Sequence, residues 1–283
     1  MRHKTHQKAI YMITEETLSS FKTWFNDYAK SFYSGNPEDQ QNIELKEAHT
    51  RRVCGEILDI GNALGLNGED LHMAEVMALF HDIGRFEQYA RYGTFSDLKS
   101  EDHAILGVKV LRKTGVLEML DPATADLILR CIAYHNRAFL PEDESAQCLF
   151  FARLLRDADK LDILRVVTDY YQRKTGDRNG AIELGLPDSL DISPEIYEDL
   201  LAKRIVKTEY LKTLNDFKLL QMGWVFDVNF LRTFQLIQER HFIEMIRDAL
   251  PRSKKISEIY VTVRSYLEEH AKNVQGSKGS LNQ

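Results

Sequence analysis

Apolar residues recur every three or four positions along most of this chain, which is the period of an α-helix. A clear example follows Thr14, where one helical face would carry Leu18, Phe21, Phe25, Tyr28 and Phe32. Runs in which apolar and polar residues alternate between turn signals are nearly absent, so the sequence offers little material for a β-sheet. We therefore predict an all-α fold.

Capping residues, glycines and prolines divide this pattern into separate helices. The predicted helices cover residues 14–34, 42–64, 70–83, 101–114, 122–134, 146–171, 194–202, 205–220, 228–247 and 256–272. Residues 174–193 are rich in glycine and form the least regular internal stretch, as expected for a linker or a loop that covers a pocket. We predict a helical core over residues 1–173, a C-terminal helical extension over residues 174–272 that packs on this core, and a disordered tail over residues 273–283.

The balance of charges limits the classes of partner. With 37 Lys and Arg against 43 Asp and Glu, the formal net charge is -6, which provides no general positive field for polymeric nucleic acid. The basic N-terminal residues lack the apolar stretch of a signal peptide, and no later run approaches the length of a membrane span. We expect a cytoplasmic protein with no membrane partner, in which Cys54, Cys131 and Cys148 are buried, reduced thiols.

Six residues of the types that bind transition metals stand in the order His49, His81, Asp82, His103, His135 and Asp159. Each lies in a predicted helix or at the end of one. A single histidine of this kind is more often structural, so the indication lies in the order of all six. Because the two oxygens of a carboxylate can bind two ions, the adjacent His81-Asp82 pair is able to serve a binuclear site.

The segments around these residues resemble the HD phosphohydrolase superfamily, whose pattern is a His, an HD pair and a later Asp. The similar segments are AHTRRV at His49, ALFHDIGRF at His81-Asp82 and RDADKLD at Asp159. The ADK context favours Asp159 as the last ligand, with Asp157 as the alternative. The segments DHAILG at His103 and AYHNR at His135 resemble the additional ligands of superfamily members that hold two metals.

This resemblance implies an HD-domain helical core with a binuclear metal site. The first ion would be held by His49, His81, Asp82 and Asp159. The second ion would be held by Asp82, His103 and His135. The implied cofactors are two divalent transition metal ions, drawn from Fe, Mn, Co, Ni and Zn, and a hydroxide that bridges them would attack the substrate without a protein nucleophile.

Charged and aromatic residues near the ligands are candidates for contact with a substrate. Arg85 follows the HDIG motif and Lys160 follows Asp159, and we assign both a catalytic role beside Asp82. Substrate contacts are predicted for Arg52, Arg85, Tyr89, Arg91, Tyr92 and Lys160. Three of these lie in a stretch rich in Tyr, Arg and Gly between two ligand segments, where they would meet a base or a ribose. The arginines are equally compatible with surface charges or ion-pair partners.

The resemblance implies hydrolysis of a small phosphorylated molecule, with a nucleotide or dinucleotide as the expected class. Both a phosphomonoesterase and a phosphodiesterase or pyrophosphohydrolase fit, since binuclear members include diadenosine tetraphosphatases and cyclic-nucleotide phosphodiesterases. The chain lacks the HHE and GYP signature of the cyclic di-GMP phosphodiesterases, and its two additional histidines are foreign to the stringent-response hydrolases. The alternatives are an HD-type di-iron oxygenase, which shares the ligand order, and a non-catalytic nucleotide-binding module.

Overall fold

The computed structural model describes residues 13–172 and 180–272, and these residues form α-helices and short 3-10 turns with no β-strand among them. The prediction of an all-α fold is therefore confirmed. In chain order the α-helices are α1 (Glu15–Lys30), α2 (Pro37–Ala63), α3 (Gly68–Phe80), α4 (Gly84–Tyr92), α5 (His103–Thr114), α6 (Pro122–Tyr134), α7 (Ala146–Tyr171), α8 (Gly180–Glu183), α9 (Pro194–Leu201), α10 (Leu214–Gly223), α11 (Leu231–Glu239), α12 (Phe242–Asp248) and α13 (Lys254–Ala271).

Side-chain caps set the beginnings of the first two helices. The Thr14 side chain accepts a hydrogen bond from Thr17 N, as its place before an acidic first turn predicts. Asn36 caps α2 in the same way, and Pro37 occupies the first helical turn. Because a proline at this position has no N–H to leave unpaired, α2 begins at Pro37 instead of residue 42. The SGNP sequence thus starts α2, whereas α1 ends earlier, at Lys30.

Helices α2 and α7, of 27 and 26 residues, pack along each other at the centre of the fold, and α3 packs against both. Helix α1 covers α3. Phe21 and Phe25 of α1 are almost fully buried and meet Phe80 and Phe86 edge to face. This aromatic cluster fixes the end of α3, where the His81-Asp82 pair begins.

Two glycines allow α4 and α5 to touch backbone to backbone. A Cβ at Gly84 would lie within 2.6 Å of Gly107 N and closer still to the carbonyl oxygen of His103, so no larger residue fits without movement of the helices. Helix α4 is absent from the predicted set of helices. For this stretch the sequence instead predicts substrate contacts, at Tyr89, Arg91 and Tyr92. The helix begins at Gly84 because the chain resumes helical geometry directly after the turn that follows α3.

The C-terminal helices contact the central pair through α11 and α12, which pack against α7, while α11 also contacts α2. Helix α13 packs against α9, α11 and α12. The predicted domain boundary at residues 173 and 174 and the predicted tail over residues 273–283 lie outside the described residues.

Two predicted C-terminal helices are wrong in extent. Residues 205–213 are irregular apart from a 3-10 turn at Thr208–Tyr210, because a capping box formed by Thr213 and Asp216 starts α10 only at Leu214. The single helix predicted over residues 228–247 is divided into α11 and α12, because His241 takes a positive φ of 57° between them.

Within the described residues, no helix combines the length and the apolar character that a bilayer crossing requires. Cys54, Cys131 and Cys148 are buried free thiols, as the sequence predicts.

Candidate metal centre

The six predicted ligands come from separate parts of the chain and meet at one place. Their positions are the middle of α2 (His49), the turn after α3 (His81 and Asp82), the start of α5 (His103), the end of α6 (His135) and the middle of α7 (Asp159). Five of them are buried and Asp159 is partly exposed. The packing of α2 along α7 brings the first and last ligands of the sequence together.

The carboxylate of Asp82 lies between two pairs of imidazoles. Its Oδ2 atom is 3.5 Å from His49 Nε2 and 3.9 Å from His81 Nε2. Its Oδ1 atom is 3.3 Å from His103 Nε2 and 3.7 Å from His135 Nε2. Each oxygen thus faces a different pair of nitrogens, which is the arrangement that a carboxylate shared by two ions requires.

Asp159 joins the first pair of imidazoles. Its Oδ1 atom is 3.1 Å from His49 Nε2 and 3.6 Å from His81 Nε2. Asp157 instead accepts hydrogen bonds of 3.0 and 3.1 Å from the backbone N–H groups of Asn229 and Phe230. Helical residues two positions apart differ by about 200° in direction, so only one of the two aspartates can face the centre. The structure places Asp159 there.

All four imidazoles present Nε2 to the centre and donate Nδ1–H to a fixed oxygen. The donor and acceptor pairs, each 2.7 Å apart, are His49 with Asp162, His81 with the carbonyl of Ala78, His103 with Asp97 and His135 with the carbonyl of Ile132. An acceptor at Nδ1 selects the tautomer whose Nε2 carries a lone pair, which is the form that binds a metal.

The spacing of the Nε2 atoms fits a cation between them. The Nε2 atoms of His49 and His81 are 3.2 Å apart, and those of His103 and His135 are 3.0 Å apart. When Nδ1 donates a hydrogen bond, the Nε2 atom of each ring carries a lone pair, and the two lone pairs of each imidazole pair repel each other. A cation between the two nitrogens removes this repulsion. Two nitrogens bound to one ion at about 2.1 Å lie about 3.0–3.4 Å apart for ordinary coordination angles. The donor set therefore fits two divalent ions that share Asp82.

The pKa shifts of Asp82, Asp159 and His103 agree with this fit, while, against the opposing effect of burial, hydrogen bonds to Asp159 and Asp162 raise the pKa of His49. Burial opposes ionisation of Asp82, yet the nearby Lys46 ammonium helps to hold its pKa well below the usual value. Burial likewise opposes ionisation of Asp159, yet hydrogen bonds from two imidazoles hold its pKa well below the usual value. Burial, and then the Arg85 guanidinium, lowers the pKa of His103 to about 4. Both carboxylates are thus ionised and this imidazole is neutral at pH 7, as metal ligands must be.

Sequence reasoning missed three residues at the centre. Lys46 Nζ lies 2.9 Å from Asp82 Oδ2, and Asp97 and Asp162 orient two of the imidazoles. Lys46 precedes His49 by three positions, as Asp159 precedes Asp162, and this spacing on one helix face could have identified both residues. Asp97 comes from a 3-10 turn between α4 and α5 and has no comparable spacing.

Two of the predicted substrate residues lie next to the ligands but have protein partners. Arg85 Nε is 3.4 Å from Asp82 Oδ1, while its Nη1 donates to Asp97 Oδ1 at 2.9 Å. Arg52 donates through two nitrogens to Asp162, at 2.5 and 3.0 Å. Both guanidiniums therefore support the carboxylates that orient imidazoles.

The other predicted substrate residues contact side chains outside the ligand set. Lys160 Nζ lies 2.7 Å from Asp227 Oδ2. Arg91 and the Tyr92 hydroxyl both donate to Glu101, at 3.3 and 3.2 Å. The Tyr89 hydroxyl accepts a hydrogen bond from Asn42 and donates to Asp39, at 2.8 and 3.3 Å. Their roles in substrate binding stay predictions.

A cavity of about 1390 Å³ lies between the core and the C-terminal part of the chain. Arg52 and Tyr89 line it on the core side, and Ile182 and Leu214 line it on the other. The six ligands themselves are not among its lining residues. It is linked to the centre through Arg52, which binds the carboxylate that orients His49.

The comparison with protein families gives a match over this part of the chain. Residues 47–164 match the HD domain family. Searches of curated proteins and of solved structures found no match. HD domains characterise a superfamily of metal-dependent hydrolases, generally phosphohydrolases, in which some members are not catalytic. Residues 47–164 of this chain are therefore an HD domain, and the six clustered histidine and aspartate side chains lie within it.

Proposed function

We propose that this protein is a phosphohydrolase that uses two divalent transition metal ions to hydrolyse a small phosphorylated molecule, with nucleotides and dinucleotides as the expected class. The observation that carries the proposal is the position of Asp82, whose two oxygens face separate pairs of imidazole nitrogens. A site for one ion would not need the second pair.

The proposed partition of ligands follows from these distances. One ion would be held by His49, His81, Asp82 and Asp159, which share the Oδ2 side of Asp82. The other would be held by Asp82, His103 and His135 on the Oδ1 side. When bound, the two ions would supply a water molecule of lowered pKa and would stabilise negative charge on a phosphoryl oxygen.

Once two metal ions are bound, the charges of the site favour an anionic substrate. Two divalent ions bring four positive charges, and Asp82 and Asp159 neutralise two of them. An imidazole that binds a metal ion through Nε2 is a ligand without charge. The excess positive charge is held in a largely buried place, where electrostatic attraction is stronger than in water. A phosphate group carries the complementary charge even though the whole chain is acidic.

The cavity that Arg52 lines has room for a substrate larger than a phosphate ion. Its volume of about 1390 Å³ exceeds that of typical small-molecule sites, so a nucleotide can be accommodated. Arg52 and Tyr89, both predicted to contact substrate, are among its lining residues. We propose that the leaving portion of the substrate occupies this space.

A substrate screen tests the proposed reaction. Metal-loaded protein should release phosphate or a phosphomonoester from at least one member of a panel of mononucleotides, dinucleotides, cyclic nucleotides and phosphate esters. Asp82→Ala, prepared in parallel, should be inactive because both ions lose their common ligand. Activity in the variant equal to that of the parent would refute the proposal. Product formation that depends on oxygen and on Fe, without phosphate release, would instead support the oxygenase alternative.

Elemental analysis of the purified protein tests the number and identity of the ions. About two ions per chain are expected in the parent and almost none in Asp82→Ala. One ion or none after reconstitution with Fe and with Mn would contradict the binuclear site and favour a binding module.

A further inference from the structure

We propose that Lys46 binds the phosphate group of the substrate once metal ions occupy the carboxylate of Asp82. This inference rests on the proposed phosphohydrolase function and adds a substrate-binding residue to it.

Lys46 is positioned at the centre by the same helix that carries the first ligand. It lies one turn before His49 in α2, and its Nζ atom is 2.9 Å from Asp82 Oδ2. The ammonium is also 5.2 Å from the centre of the Phe95 ring. Its side chain is 17% exposed, so the charge has limited access to water. An ammonium in such a place requires an anionic partner.

Lys46 differs from the other cationic side chains near the centre in the partner that it holds. Arg52 is bound to Asp162, Arg85 to Asp97, and Lys160 to Asp227. None of these three carboxylates belongs to the proposed ligand set, so those ion pairs persist when the ions bind. Arg85 also lies 3.4 Å from Asp82 Oδ1, but it keeps Asp97 as a partner when Asp82 binds the ions. Within the described part of the chain, the ion-pair partner of Lys46 is Asp82 itself.

Metal binding therefore changes the surroundings of Lys46 more than those of the other cations. Ions bound to both oxygens of Asp82 neutralise the negative charge with which the ammonium is paired. The ammonium is then a partly buried cation beside two further cations, which is unfavourable unless a new anion is present. A phosphate group drawn to the ions supplies that anion and can accept a charge-assisted hydrogen bond from Nζ.

If Lys46 exchanges Asp82 for phosphate as its partner, substitution of this lysine should have different effects on metal binding and on phosphate binding. In Lys46→Met the metal ions no longer compete with an ammonium for Asp82, so metal affinity should be unchanged or higher. Phosphate affinity should fall by about 10- to 100-fold, the range expected for loss of a hydrogen bond between charged groups. A residue with only a structural role would lower both affinities together.

The test is calorimetric titration of Mn²⁺-loaded protein with inorganic phosphate, together with elemental analysis of each sample. The variants are Lys46→Met, Lys46→Arg, which retains the charge, and Lys254→Met, a control on an exposed side chain of α13. We expect weaker phosphate binding with full metal content in Lys46→Met, a smaller loss in Lys46→Arg, and parental values in Lys254→Met.

The outcomes separate this inference from the proposed function. If the parent hydrolyses a phosphate ester and Lys46→Met binds phosphate as tightly as the parent, only the role of Lys46 is overturned. Joint loss of metal and phosphate in Lys46→Met also overturns it, since that result assigns the residue a structural role. A fully loaded parent that neither binds phosphate nor hydrolyses any ester overturns both proposals.

Discussion

Replacing Gly84 by alanine should weaken one half of the metal centre more than the other half. The added methyl carbon would lie within 2.6 Å of Gly107 N, whereas non-bonded heavy atoms settle near about 3.5 Å. Helices α4 and α5 must then part by roughly 1 Å. His103 begins α5 and Asp82 precedes α4, so this movement alters the 3.3 Å distance between His103 Nε2 and Asp82 Oδ1.

A shift of this size is large for metal coordination, whose distances vary by only about 0.2 Å. We expect the affinity for the ion on the His103 side to fall by about tenfold or more, as it does when the support of a ligand is lost. Overpacking of the contact should also lower the free energy of unfolding by about 1–3 kcal/mol. The other ion should lose less affinity, because its ligands come from α2, α7 and the end of α3, and α5 contributes none of them.

The assay is stepwise titration of metal-depleted protein with Co²⁺, followed by thermal unfolding, in which 1 kcal/mol corresponds to about 2–4 °C. Gly55→Ala is a matched control, because a Cβ at this helical position in α2 meets no atom within 4 Å. It should raise the free energy of unfolding by about 0.5–1 kcal/mol and leave both ions bound. Unchanged binding of two ions to the Gly84→Ala variant, or equal weakening of both, would refute the reasoning.

Three further predictions concern the metal ligands and their supports. Asp82→Ala should abolish binding of both ions, whereas His135→Ala should lose only the ion on its own side; elemental analysis measures this, and equal loss in both variants would contradict the partition. Asp97→Asn should lower the affinity for that same ion by about 10- to 100-fold, because the His103 ring loses the carboxylate that orients it. A metal titration that gives the parental affinity would show that the ring needs no such support. Removal of metal with EDTA should lower the melting temperature by several degrees, since an ion at 100 times its Kd contributes about 2.7 kcal/mol; identical melting curves with and without the chelator would rule out a stabilising ion.

The sequence was sufficient to predict the fold class and the residues that converge, because both depend on local patterns. Helical periodicity predicts buried helix faces wherever it is regular, as it is in α1. The six candidate ligands could be identified because their order, with the HDIG and ADK contexts, resembles the pattern of the HD superfamily. Their assignment to two sets required the structure, since only distances show which oxygen of Asp82 faces which imidazole.

Features that depend on tertiary contacts were missed. Helix α4 is short and follows a glycine that local rules treat as an interruption, yet contact with α5 requires that glycine. The break at His241 has no glycine or proline to mark it. The substrate role of Lys160 stays a prediction, but its ion pair with Asp227 could not be predicted, because it depends on a contact between residues far apart in sequence. Lys46 likewise becomes visible only when α2 and the turn after α3 are placed side by side.

The contacts between α7 and residues 227–230 determine how small a working fragment of this protein can be. Arg156 and Lys160 bind Asp227, and Asp157, which is fully buried, binds the backbone that follows it. A fragment restricted to the residues that match the family would remove the ion-pair partner of Lys160 and the hydrogen-bond partners of Asp157 at residues 229 and 230. It would also leave Arg156 with the Arg137 carbonyl alone, and all three side chains belong to the helix that carries Asp159. Crystallographic or kinetic work should therefore retain the chain at least through α13, because the helix that carries Asp159 depends on contacts beyond the residues that match the family.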